Sequence, residues 1–282
     1  MRGKAEKRFL KLTHGIQRVK ERTGNYPCTM ILETPGVIPV LQDVPGIQAF
    51  FTTRTGGVSG GLFASLNLSY LSGDDPDKVR RNWDSLLHAQ NLSEKSLALP
   101  RLCHGNRLAE ISGAGNSFPE NTDAVYTLDE NRVLAVTLGD CLAILIADPL
   151  TRCVAAVHAG WRGTRENILG RALDSLFAAG LCLPESTWLS FGPCLSTPAL
   201  EISPEIAKTL PSPHVHTTDE REGKRFFFDL RGCNQSQAEA AGVTAARMSH
   251  VRACTRTDAG RFFSYRRDGA ASGRMAACIA LK

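Results

Sequence analysis

The chain has 282 residues, 43% hydrophobic and 22% charged, a balance that suits a folded globular enzyme and excludes a disordered or low-complexity protein. No apolar run approaches the ~20 residues a membrane-spanning helix needs, and the N-terminus carries no signal-peptide core, so a cytoplasmic protein without a membrane partner is expected. The net charge of +5 is concentrated at the start, because residues 1–26 hold eight Lys/Arg against two Asp/Glu and the remainder sums to −1, which argues against a nucleic-acid-binding face.

In chain order, residues 1–26 read as a basic, disordered arm and residues 27–282 as a single catalytic domain. Residues 27–53 contain short Pro/Gly-punctuated strands ending in IQAFFTT. The glycines of TRTGGVSGG (53–61) follow, then a helix over 73–90, with Asp75 as N-cap, Pro76 as first helical residue and Val79, Trp83, Leu86 and Leu87 as its apolar stripe. Three apolar runs, VLAVTL, LAILIA and CVAAVH, predict buried strands between 133 and 158. A helix capped by Thr164 and closed by Gly180 is expected next, then a strand at 187–191 and a short helix at 203–210 that begins with Ser203 and Pro204. PSPHVH (211–216) reads as a loop, 225–230 as a strand and 231–242 as a helix. GRFFSYRR (260–267) and MAACIAL (275–281) read as the last two strands. Strands alternate with helices but also follow one another directly, so an α/β or α+β body with mixed sheets and outer helices is expected.

Nine cysteines at irregular spacing, without a CxxC, are expected to be reduced, with Cys153 and Cys278 as small core residues. Three residues stand where apolar segments meet polar turns: His104 in LCHGN, Cys141 in TLGDCLAI and His158 in VHAGWRG. If the strands around Cys141 and His158 are antiparallel neighbours, those two residues lie side by side. Two imidazoles and a thiolate are the protein half of a catalytic zinc site with an open fourth position. The same residues also suit a thiolate nucleophile with a histidine base, and residue chemistry does not separate the two. A structural zinc site would need a fourth protein ligand, Cys103 or Asp140. Copper can displace zinc in vitro, but seven histidines with one His-x-His pair, His214 and His216, are too few for a multicopper oxidase. HAGWRG offers Trp161 as an aromatic face and Arg162 as a forked cation at a strand-to-helix junction suited to an anion. Arg54, Arg266 and Arg267 lie beside further glycine turns, and Glu201 and Asp229 are acids suited to pairing or capping.

Seven separated segments, in order, resemble the laccase-domain (YfiH-like) family. They are TRTGGVSGG…SLNLS with GDD, LCHG, VTLGDCLAILIAD, AAVHAGWRGT, FGPCL…LEI, FFFDLRGCN and CT…FFSYRRDGAASGRMA, and the likeness covers residues 36–282. The resemblance implies a layered α-β-β-α sandwich similar to the catalytic domain of cytotoxic necrotizing factor toxins. It implies zinc on His104, Cys141 and His158, which would also be the catalytic residues, and substrate contacts at Arg54, Asn67, Asp140, Trp161, Arg162 and Arg266. It further implies purine nucleoside phosphorylase activity on adenosine, inosine, guanosine and methylthioadenosine, with adenosine deaminase activity. The partners would be a small nucleoside and phosphate, acting on a monomer. Editing of mis-incorporated amino acids in peptidoglycan precursors and copper-dependent polyphenol oxidation are the family's other assignments. The chain departs from the family pattern at Leu102, Cys103, Gly139, Ala143 and Leu200, while keeping all three ligands.

Overall fold

A computed structural model describes residues 36–92, 95–220 and 223–282. The basic arm, Cys28 and the strands expected before residue 36 lie outside the described residues. Two mixed sheets stack face to face. The first has five strands in the order β1 (Val37–Val40), β2 (Ile47–Thr52), β14 (Met275–Leu281), β6 (Arg132–Leu138) and β3 (Ser96–Ala98), all antiparallel except the β6–β3 edge. The second has six, in the order β13 (Met248–His250), β9 (Trp188–Phe191), β7 (Leu142–Asp148), β8 (Cys153–Ala159), β5 (Ala124–Thr127) and β4 (Leu108–Glu110), with parallel pairs at both edges.

The period-2 alternation of the central strands accounts for the layering. Met275, Ala277, Ile279 and Leu281 of β14 face Leu145, Ala147, Val154 and Ala156 across the inter-sheet core. Ala276, Cys278 and Ala280 point the other way, onto helix α1 (Pro76–Ala89). Leu142, Ile144 and Ile146 of β7 likewise turn outward, onto α3 (Ile168–Ala178) and α5 (Leu230–Ala240). Strands buried on both faces need apolar residues at every position, which is why three uninterrupted apolar runs sit together in the sequence. The result is the expected α-β-β-α order.

Helix α1 starts as expected, with the Asp75 carboxylate accepting the Asp77 N–H and Pro76 opening the helix. Three expectations are corrected. The helix after β8 is two pieces, α2 (Trp161–Arg165) and α3, and Thr164 lies inside the first rather than capping the second. Asn167 breaks the pair at φ +60°, and its amide occupies the space that a Cβ at Gly170 would need. The loop expected at 211–216 instead passes, through a single turn at Ser212–His214, into β11 (Val215–Glu220). That strand pairs in a hairpin with β12 (Gly223–Phe228), to which β10 (Glu201–Ile202) adds a third strand. Residues 260–267 form no strand: Phe262 and Phe263 are adjacent yet both fully buried, and the chain curls into α6 (Tyr265–Asp268), where Ser264 accepts the Arg267 N–H. The short helix α4 (Pro204–Ala207) is capped by Ser203 as expected. No helix among the described residues is long and apolar enough to cross a membrane.

Candidate metal centre

His104, Cys141 and His158 converge. One ligand atom from each lies within 4.8 Å of the others, and they form the single such cluster of His, Cys, Asp or Glu among the described residues. Strands β7 and β8 are antiparallel with Leu142 opposite Ala159, so one more step of register brings Cys141 level with Gly160. The glycine there is required by space, since a Cβ on Gly160 would sit 3.0 Å from His104 Cδ2 and 3.1 Å from Cys141 Sγ. Gly163 is similarly crowded, its Cβ position lying 2.7 Å from the Gly105 carbonyl oxygen. The HAGWRG glycines therefore let the ligand-bearing loop at 103–105 press onto the end of β8. The two imidazoles meet edge to face at 5.0 Å between centroids.

Asp123, just before β5, holds this arrangement in place, and sequence reasoning missed it. Its side chain is fully buried. Its carboxylate accepts the backbone N–H groups of Cys103 (3.1 Å), His104 (2.9 Å) and Gly105 (2.9 Å). These bonds stabilise His104 at φ +61°, a left-handed conformation uncommon for a residue with a side chain. The same carboxylate pairs with His158 Nδ1 at 2.9 Å, which leaves Nε2 to face the cluster. Burial would push the Asp123 carboxyl up, but the hydrogen bond and charge of His158 hold it far below the usual carboxylate range. Its only sequence signal was an acid four residues ahead of Thr127 in an unremarked short strand.

Electrostatics favour a charged thiolate. Burial pushes the Cys141 thiol up, yet the positive charge of His158 and hydrogen bonds from His104 and His158 outweigh it and bring the thiol down to about 6. Burial pushes His158 down, and the Cys141 thiolate with the Asp123 hydrogen bond raise it to about 9. The donor set, one thiolate and two imidazoles with no fourth protein ligand in the cluster, fits a zinc site of the catalytic type. Neither expected fourth ligand is available. Cys103 donates its thiol hydrogen to Asp123 at 3.0 Å, and the Asp140 carboxylate accepts the Thr255 hydroxyl and the Arg266 N–H, both at 2.6 Å.

The other expected contacts are spread unevenly. Asp140 (φ +106°, 7% exposed) clamps three loops to the base of Cys141, and Arg266 meets it through its backbone while its side chain reaches the Glu201 carbonyl. Asn67 is 0% exposed, and its amide is consumed by Ser72, Asp74, Ser69 and Arg274, which makes it part of the loop architecture rather than a group left for substrate. Arg54 spans the Ala64 and Ala259 carbonyls and lies over the Phe263 ring at 4.5 Å. Trp161 is half-buried, with the exposed Arg162 guanidinium 4.6 Å from its ring. Arg267 pairs with Asp268, Glu201 pairs with Arg225, and Asp229 caps α5 through the Gly232 N–H. His214 and His216, on the hairpin side, are not part of the cluster.

Two further groups flank the centre and were not anticipated. The Arg274 side chain packs against Gly139, two residues before Cys141, and burial lowers its pKa, with the Asp140 carboxylate and Cys141 thiol acting the other way. The packing of that side chain explains Gly139, whose Cβ would lie 2.7 Å from Arg274 Cδ. The Tyr265 ring, 54% exposed, covers the Arg274 guanidinium at 5.6 Å.

The family described as multi-copper polyphenol oxidoreductase laccase matches residues 48–282. A protein from Deinococcus radiodurans named purine nucleoside phosphorylase is 36% identical over 82% of this chain and 88% of its own length. A protein of an unknown prokaryotic organism named adenosine deaminase RL5 is 30% identical, over 83% of this chain and 93% of its own. The crystal structure of YlmD from Geobacillus stearothermophilus superposes with a TM-score of 0.82 at 26% identity, covering 89% of this chain and 97% of that one.

Proposed function

The chain belongs to the multi-copper polyphenol oxidoreductase laccase family, and on that premise we propose that it is a zinc-dependent purine nucleoside phosphorylase that also deaminates adenosine. The observation that carries the reading is the convergence of His104, Cys141 and His158 into a three-ligand centre. The printed names of the relatives support the choice of substrate. His104, Cys141 and His158 would hold the zinc, which would supply Lewis-acid polarisation of the substrate.

The rest is positioning by the chain's own groups. Tyr265, exposed beside the centre and backed by Arg274, offers a face on which a purine stacks. Arg274 and the exposed Arg162 are the cations that orient phosphate toward the ribose carbon. In phosphorolysis a phosphate oxygen bonds to that carbon as its bond to the purine nitrogen breaks, and the electron pair leaves with the base. Asp123 keeps His158 in one tautomer throughout, and Asp140 fixes the backbone under Cys141. In this reading the protein acts without a nucleic-acid or membrane partner, as a monomer in the cytoplasm.

The test is incubation of zinc-loaded protein with inosine, with and without phosphate, and with adenosine, read by chromatography. Hypoxanthine formed only with phosphate, inosine formed from adenosine, and neither formed by Cys141→Ala, are the expected results. Turnover retained by Cys141→Ala would overturn the assignment.

A second reading rests on one contact. The Asp123–His158 pair beside Cys141 is the order of acid, base and thiol that a cysteine hydrolase uses, here for amide bonds in cell-wall precursors. Alkylation of Cys141 that zinc fails to block, together with amide cleavage by zinc-stripped protein, would favour it.

A further inference from the structure

A second pair of thiols lies behind the Asp140 clamp. Cys194, beyond the end of β9, and Cys254, beyond β13, are partners in an isolated parallel bridge. The Cys194 N–H donates to the Ala253 carbonyl at 3.4 Å, and the Thr255 N–H donates to the Cys194 carbonyl at 3.1 Å. Paired strands stand about 4.8 Å apart, within the roughly 4.4–6.8 Å between Cα atoms that a disulfide spans. Both thiols are free, Cys254 half-buried and Cys194 1% exposed.

Their surroundings differ in a useful way. Cys254 Sγ accepts the Ser196 N–H at 3.4 Å. Burial pushes this thiol up, but hydrogen bonds from Ser196 and Thr257 outweigh it and bring it down to about 7. Cys194 Sγ sits under the Arg231 guanidinium at 3.4 Å. An accessible, thiolate-prone cysteine beside a sheltered second thiol is the arrangement of a peroxide-responsive pair. Each cysteine also adjoins a residue that grips Asp140: Leu195 donates its N–H to the Asp140 carbonyl at 3.0 Å, and the Thr255 hydroxyl reaches the carboxylate at 2.6 Å. Asp140 in turn precedes the metal ligand Cys141.

We infer that Cys254 and Cys194 form a reversible disulfide, made by hydroperoxide and undone by thiols, that loosens the metal centre through Asp140. In the first step the Cys254 thiolate attacks a peroxide oxygen, the O–O bond breaks, hydroxide (or alkoxide) leaves and a sulfenic acid forms. In the second, Cys194 sulfur attacks Cys254 sulfur, its proton goes to the departing oxygen and water is released. A dithiol returns both to thiols. Cys153 and Cys182 provide an internal control, since their thiols also adjoin but both are buried at 1% exposure or less.

The experiment treats the zinc-loaded full chain, in which Cys141 is shielded, with hydrogen peroxide. Remaining thiols are then alkylated under denaturing conditions and the peptides are mapped by mass spectrometry. A Cys194–Cys254 crosslink, forming about tenfold faster than any Cys153–Cys182 crosslink and reversed by dithiothreitol, is expected. Cys194→Ser should stop at a Cys254 sulfenic acid that dimedone captures. Transfer of zinc to a chelator should be about tenfold faster after crosslinking. A map in which Cys103 is oxidised while Cys254 stays a free thiol would overturn the inference, as would crosslinking that leaves zinc transfer unchanged. The thiol map is readable whether or not the protein turns over nucleosides.

Discussion

At the scale of single residues, one carboxylate has more structural consequences than any ligand. Asp123 accepts three backbone N–H groups of the 103–105 loop and orients His158. Asp123→Asn keeps the shape but places a donor where donors already point, so zinc affinity is expected to fall about 10- to 100-fold, as for other partners behind a metal ligand. Competition with a chelating dye measures it. The Cys141–His158 pair gives a pH signature in metal-free protein. The folded thiol lies below its ordinary value, so its thiolate, the alkylated form, is already present at neutral pH and is lost as pH falls through about 6. The iodoacetamide rate at Cys141 should therefore stay nearly flat from pH 8 down to about 6 and drop below it, whereas an ordinary thiol would lose rate from about pH 8.5 downward. His158→Ala should shift that drop upward, because the largest source of thiolate stabilisation is gone.

At the scale of elements, the site depends on how closely two segments approach. Gly160 ends β8 with no room for a side chain between His104 and Cys141. Gly160→Ala should weaken zinc binding, read by the same dye, while circular dichroism stays unchanged, because the clash falls on the ligands and not on the sheets. Helix α1 makes the opposite case. Its Asp75 cap is far from the ligands in sequence and supports only the outer layer, so Asp75→Ala should cost about 1 kcal/mol of stability in urea unfolding and leave zinc affinity alone. Elements with a local signal, such as this cap with its adjacent proline and apolar stripe, were legible from the sequence. The β11–β12 hairpin was not, because VHTTDE has no core-facing pattern of its own and becomes a strand by pairing with Gly223–Phe228. The FFSY segment failed for the converse reason. Its two phenylalanines mimic a strand but enter the core side by side from a turn.

At the scale of the whole molecule, the two sheets share one core, and the ligands sit where loops from both sheets meet. β6 of the five-stranded sheet leads directly into Gly139–Asp140–Cys141 and then β7 of the six-stranded sheet. Phe51, fully buried, packs into the inter-sheet core, and a Cβ on Gly192 would lie 2.5 Å from its ring. Phe51→Ala should cost about 3–5 kcal/mol in denaturant unfolding. It should also loosen the register that carries Cys141, so that zinc affinity falls together with stability, unlike the Asp75 variant.

The sequence by itself determined the layered class, because doubly buried strands and amphipathic helices write their period into the chain. It also singled out His104, Cys141 and His158, because soft and borderline donors stand out at the ends of apolar runs, while leaving a metal centre and a thiolate–histidine pair both open. The tertiary structure alone decided what surrounds them. Asp123, Arg274 and Tyr265 carry no local pattern that separates them from other charged or aromatic residues, and Asn67 and Asp140 read as ligand contacts until the fold spent their polar atoms on distant loops. Residues that act through partners 18 to 207 positions away leave no trace at their own place in the chain, because hydrogen bonds between loops are set by where the sheets stack.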